Sequence, residues 1–272
     1  MNNKLIISEG ARKEILENCF KHYRQDYIAT DPVMFIHAYT DDRDKETAGL
    51  IAALMALGNV KQIQRSVCRI MKLLEPSPYK ALKRFNGISE QVICENIYHR
   101  FFDAGTIAAF LFSLHRVLEK KGRLKNVFVP LIKAKGNIKE ALIEIAEEFY
   151  QHAYFHYQNR RKLRTLFSTP LTGSACKRWL LFLRWMIRPS DGVDLGLWNE
   201  ISPSWLLIPV DTHIYCISRK LGFTRRNTIS WKMAEEITEN LKQYDPEDPV
   251  KYDFALTRIA MLKDTRFTDL FS

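Results

Sequence analysis

Two charged residues of this chain stand where helices should begin. Asp211 lies directly behind the apolar Ile208, Pro209 and Val210 and ahead of Ile214, Ile217 and Leu221 at helical spacing, with Arg219 and Lys220 in the last turn and Gly222 as a stop. A helix N-cap would account for it fully. A carboxylate there could also stabilise a developing positive charge or help take a proton from an amine. Lys177 lies in PLTGSACKRWLLFLRWMI, Pro170 to Ile187, at the start of a second helix. The helix dipole disfavours a cation in the first turn, so a lysine there calls for a reason. It could be a nucleophile, provided partial burial and the positive end of its own helix hold the amine neutral. It could equally be an exposed lysine snorkelling beside a helix start. The turn before it, Thr172, Gly173, Ser174, Ala175 and Cys176, would aim backbone N–H groups at one point, as phosphate sites do.

Those two helices belong to a chain that carries the helical period nearly throughout and has no convincing alternation of apolar and polar residues, which predicts an all-α fold. The expected helices are 10–29, 45–57, 60–75, 89–119 with a break near Asp103 and Gly105, 137–158, 174–188, 211–221, 230–243 and 249–263. Pro76 to Pro78 reads as a break, and Asn159 to Pro170 as a linker or a basic loop facing a polyanion. From Trp179 to Ile187 only Arg184 is polar, so that helix should be surrounded by protein with its N-terminal end facing out. The acidic Asp41, Asp42, Asp44 and Glu46 read as a solvated turn and helix start, with a bound cation as the alternative.

Composition narrows the class. The chain has 272 residues, 46% of them apolar, ample for a packed core. No stretch reads as a membrane span and the polar start lacks a signal-peptide core, so the expected location is the cytoplasm. Five scattered cysteines without CxxC spacing argue against a disulfide framework, and the histidines form no ligand pair, so neither metal nor other cofactor is expected. The net charge of +10 fits either a polyanionic partner or a solvated basic surface. Between Arg160 and Arg226, twelve Lys and Arg face only four acids.

LTGSACK resembles the L-P-G-V-G-x-K hairpin of the helix-hairpin-helix DNA glycosylase superfamily, which includes endonuclease III and the archaeal 8-oxoguanine glycosylases. PVDTHIYCISRKLGF is similar to that superfamily's V-D-T-H segment, and GLIAALMALGNVKQIQRSVCRI to the helix pair that precedes the hairpin. Thr172, Ser174 and Ala175 depart from the hairpin's Pro, aliphatic residue and second Gly, and the iron–sulfur cysteines are absent. YDFALTRIAML resembles the archaeal helix whose aspartate holds the flipped base, placing Asp253 in that role, with Thr257 where the archaeal helix has tryptophan.

The resemblance implies two helical subdomains with a cleft between them: an approximate subdomain at 30–160, a hairpin and catalytic segment at 161–230, and C-terminal helices at 231–272 packing back on the cleft. It implies a DNA repair glycosylase that removes a damaged base, an oxidised purine being one candidate, through a Lys177 Schiff base that also permits AP lyase activity, with Asp211 as acidic partner. Gly173, Ser174 and Ala175 would meet the DNA backbone. Arg178 and Arg184 are assigned to phosphate contacts or helix-end support. His213 is read either as a DNA contact or as a surface residue. The expected protein is a nucleoid-associated monomer acting on damaged double-stranded DNA. A non-catalytic DNA-binding helix-hairpin-helix protein and an RNA-associated helical protein stand as alternatives.

Overall fold

The computed structural model describes residues 7–85, 94 and 97–262. Among these the chain is all-α, as its hydrophobic period requires; no strand forms, and the only β-like feature is an isolated bridge between His99 and Phe102. No helix among the described residues is long and apolar enough to cross a membrane. The chain folds into two compact units, one built from residues up to Tyr27 together with those from Gly173 onward, the other from Ile28–Thr172.

The Ile28–Thr172 unit contains α2 (Asp42–Leu54), α3 (Val60–Leu73), α4 (Pro78–Lys83), α5 (Ala104–Lys121), α6 (Lys125–Lys135), α7 (Ile138–His156) and α8 (Arg160–Leu166). Polar caps fix where these start. The side chains of Asn59, Ser77, Asp103, Asn137 and Asn159 each accept a backbone N–H of the first turn, which satisfies donors that the helix itself cannot reach. From Thr47 to Leu54, α2 is buried throughout, which makes it the centre of this unit. α5 packs against α7 and α4, and α7 also against α6 and α8.

The acidic stretch before α2 is only partly the solvated turn its composition suggests. Asp41 caps the helix and pairs with Arg43. Asp44 is buried and accepts Ser77 Oγ at 2.7 Å and the Tyr79 N–H at 2.9 Å. Glu46 is fully buried, ion-paired with Arg123, and takes the Lys125 N–H at 3.3 Å. It therefore supplies, from another helix, an acceptor at the start of α6, where Leu124 has none to offer. These carboxylates turn to separate partners, which removes the convergence that a cation site requires.

The other unit holds α1 (Glu9–His22), α9 (Lys177–Ile187), α10 (Thr212–Lys220), α11 (Trp231–Lys242) and α12 (Asp253–Leu262). α12 packs on α1 and α10. The Tyr252 hydroxyl donates to Glu17 at 2.6 Å, and Lys251 stands 3.4 Å from the same carboxylate, fastening α1 to the entry of α12.

Several boundaries differ from those the sequence predicts. The helix expected over 10–29 ends at His22, and a 3₁₀ turn, Gln25–Thr30, follows. Residues 89–93 and 95–96 of the helix expected over 89–119 lie outside the described residues; the described part is helical over Ala104–Lys121. Among the described residues three α-helices are added. α4 starts immediately at the Pro76–Pro78 break, because proline is at home in a first turn. α6 carries Pro130 inside it and so reads as interrupted. α8 occupies the expected linker; with only Leu163 and Leu166 buried, it is too short to display a period.

Candidate active site

The turn into α9 has unusual backbone geometry. Gly173 has φ +76° and is exposed, with nothing near the position a Cβ would occupy. Cys176, just before the helix, has φ +49°, a left-handed conformation that costs a non-glycine residue roughly 1–2 kcal/mol. Hydrogen bonds from two backbone N–H groups hold the turn. The Cys176 N–H donates to Ser174 Oγ at 3.1 Å, and the Trp231 N–H donates to the Gly173 carbonyl at 3.2 Å, tying the turn to the start of α11. Lys177 follows as the first residue of α9, and every later residue of that helix is buried. The outward-facing helix start and enclosed body expected from the apolar run are both present.

Asp211 is the N-cap of α10. Its Oδ1 accepts the backbone N–H groups of His213 and Ile214, each at 2.9 Å. Its Oδ2 lies 3.1 Å from Lys177 Nζ. The two readings of Asp211 are thus not exclusive, because one carboxylate oxygen caps the helix while the other meets the lysine. The side chains keep 30% and 20% of their surface, shielded enough for strong electrostatics yet reachable by a ligand. Burial pushes the Asp211 carboxyl up, but Lys177 and the Ile214 N–H together hold it below the ordinary aspartate value. A carboxylate so held is a steady negative charge and a weak proton acceptor. Its apt chemical part is to stabilise positive charge next to it.

Asp253, the first residue of α12, is buried and ion-paired with Arg184. Burial raises its carboxyl to about 6, with Asp211 adding to the rise against the pull of Arg184 and Lys177. Arg184 also meets Asp194 at 3.2 Å. Asp194 in turn pairs with Arg188, which contacts Asp191 at 3.2 Å and holds Asp248 through three hydrogen bonds, two from Nε at 3.0 Å and one from Nη2 at 2.9 Å. Arg188 is pulled down by burial but raised overall by Asp194 and Asp248. A buried chain of alternating charge therefore ends beside the Lys177–Asp211 pair. Nothing in the sequence marks it, since its members come from α9, the following loop and the entry of α12.

The predicted site residues divide accordingly. Lys177 and Asp211 meet; Asp253 stands behind them with its carboxylate engaged by Arg184. His213 is half-buried at the start of α10, and its backbone N–H serves the Asp211 cap. Gly173 is exposed, Ser174 half-buried and Ala175 buried. Arg178 is buried, and burial pushes its guanidinium down to about 10. Arg184 is buried between two carboxylates, which leaves it no exposed face for phosphate. The basic excess between Arg160 and Arg226 is likewise drawn down by pairing: Lys162 with Asp103, Arg164 with Glu147, Arg226 with Glu236, besides Arg184 and Arg188.

Fold and site together define an all-α protein in which a lysine and an aspartate, each at the start of its own helix, form a partly exposed ion pair backed by buried charges. The chain belongs to the family described as protein of unknown function (DUF2400), whose model matches residues 31–262. No curated protein and no solved structure matches it.

Proposed function

We propose that this chain is a DNA glycosylase of the helix-hairpin-helix kind, with Lys177 as nucleophile and Asp211 as its electrostatic partner. One observation carries the reading: Lys177 Nζ lies 3.1 Å from Asp211 Oδ2, two residues far apart in sequence that the resemblance had singled out together. The exposed glycine turn before Lys177 supports it as a place for a DNA backbone to approach.

In this reading the target base leaves the stack, at a cost of a few kcal/mol that damage reduces. Lys177 passes a proton to water, since Asp211 is held too acidic to keep one, and attacks C1′ with the freed lone pair. The glycosidic bond breaks and the base departs with the bonding electrons, while Asp211 opposes the positive charge that develops on the sugar. Opening of the sugar ring leaves an iminium between Nζ and C1′. Hydrolysis releases it, or loss of a C2′ proton expels the 3′ phosphate and cuts the strand.

Borohydride added during reaction with a panel of damaged duplexes should reduce that iminium to a stable protein–DNA adduct. Lys177→Gln should abolish the adduct while leaving DNA binding. A second reading, a DNA-binding protein without chemistry, draws on the fact that capping and pairing already account for Asp211 structurally. Duplex binding with no adduct on any lesion, alongside intact fold, would favour it.

A further inference from the structure

The Ile28–Thr172 unit carries a groove of about 500 Å³ lined by Phe101, Asn159, Arg161, Lys162 and Thr165, within the roughly 300–1,000 Å³ of small-molecule sites. One wall is aromatic. Phe101 leaves 58% of its surface exposed, an apolar ring kept in water without the gain of burial, and the Arg100 guanidinium lies over its ring at 5.2 Å. The other wall is α8, whose Arg160 and Arg161 are exposed.

One lining side chain, Lys162, is pre-ordered by a network behind it. Asp103 caps α5 by accepting the Thr106 N–H and hydroxyl at 2.9 and 2.7 Å, and its second oxygen takes the Tyr157 hydroxyl at 3.0 Å and Lys162 Nζ. Lys162 is thereby fixed along the groove without the freedom an exposed lysine has. With Asp103 balancing Lys162, Arg161 and the flanking Arg100 and Arg160 leave the groove net positive.

We propose that this groove holds one nucleotide of single-stranded DNA, its base stacked on Phe101 and its phosphate held by Arg161 beside Lys162. An exposed ring flanked by cations matches a base and a phosphate at once. A duplex keeps its base faces stacked on each other, so the ring has a partner only in a strand already opened. The inference rests on the DNA reading above only for the nature of the strand. It does not involve Lys177, which belongs to the other unit.

The test is fluorescence anisotropy with three labelled strands of equal length: oligothymidylate, an abasic strand with the same phosphates, and oligouridylate. The wild-type chain should prefer oligothymidylate to the abasic strand by roughly tenfold, the order of one base stack. Phe101→Leu, on an exposed side chain, should erase that preference with an unchanged melting curve. Arg161→Ala should weaken both DNA strands alike. Equal binding of thymidylate and abasic strands, or a Phe101→Leu chain that keeps the preference, overturns the proposal. Tighter binding of oligouridylate with the same Phe101 dependence overturns its assignment to DNA. Borohydride trapping is measured in parallel: an adduct with no Phe101 effect sinks this proposal alone, and a Phe101 effect with no adduct sinks only the glycosylase reading.

Discussion

Replacing Asp211 by asparagine separates its two duties. The structure assigns capping to Oδ1, which accepts two N–H groups at 2.9 Å, and pairing to Oδ2, 3.1 Å from Lys177. Asparagine keeps an oxygen for the first duty and caps about as well as aspartate, so the capping loss should be a few tenths of a kcal/mol. The second duty loses its charge. For a pair this accessible that amounts to about 1 kcal/mol of stability or less, a fall in Tm of roughly 2–4 °C for a chain of this size. Alanine loses the cap as well, adding about 1 kcal/mol. The catalytic loss should be far larger than either: removing one preorganised electrostatic group commonly lowers turnover by 10²–10³-fold. The assay is single-turnover base release and borohydride trapping on the best lesion, beside urea melts and duplex binding. Asp211→Asn should melt nearly as the wild type, bind DNA as before, and lose almost all release. Release at wild-type rate would return Asp211 to capping alone. Release, binding and melting lost together would mean that the pair is structural.

Duplex affinity should fall roughly a hundredfold between 50 and 200 mM salt if about four phosphates are neutralised, because much of the basic excess is already paired; a flat titration would remove the electrostatic contact altogether. Asp253 has its folded-state value raised from 3.8 to about 6, so its contribution to stability is fully present below the unfolded value and is lost as the pH rises through 6. That amounts to on the order of 3 kcal/mol across the window, and urea midpoints of Asp253→Asn against wild type from pH 4 to 7 should lack this fall. Asp211 has the opposite sign, its depressed value giving stability that is present above the unfolded value and lost as the pH drops through the folded one. Glu46→Ala should cost about 3 kcal/mol in urea unfolding, since it strands Arg123 and uncaps α6, whereas an exposed carboxylate such as Asp42 changed to alanine should cost far less.

The sequence by itself determined the class of fold and most helix positions, because apolar spacing and cap chemistry are local. Asp211 caps where its sequence context places it, and the structure adds Asn59, Asp103, Asn137 and Ser230 as caps of the same local kind. It also singled out Lys177 and Asp211 as candidates, since a cation and an anion at helix starts each carry a visible electrostatic reason. Short or proline-bearing helices escaped it: α4 and α8 have too few turns for a periodic signal, and Pro130 makes α6 read as interrupted.

What only the tertiary structure decided is where the charges go. That the second oxygen of Asp211 meets Lys177, that Cys176 turns left-handed to start α9, and that Arg184 is enclosed by Asp194 and Asp253 are long-range facts. Glu46 shows the same limit from the other side: four acids within six residues read as a solvated turn, yet one of them lies at zero exposure because Arg123 and the bare start of α6 need it. A charge in sequence has a sign but no partner, and burial with a partner turns an arginine from a phosphate contact into a brace for the fold.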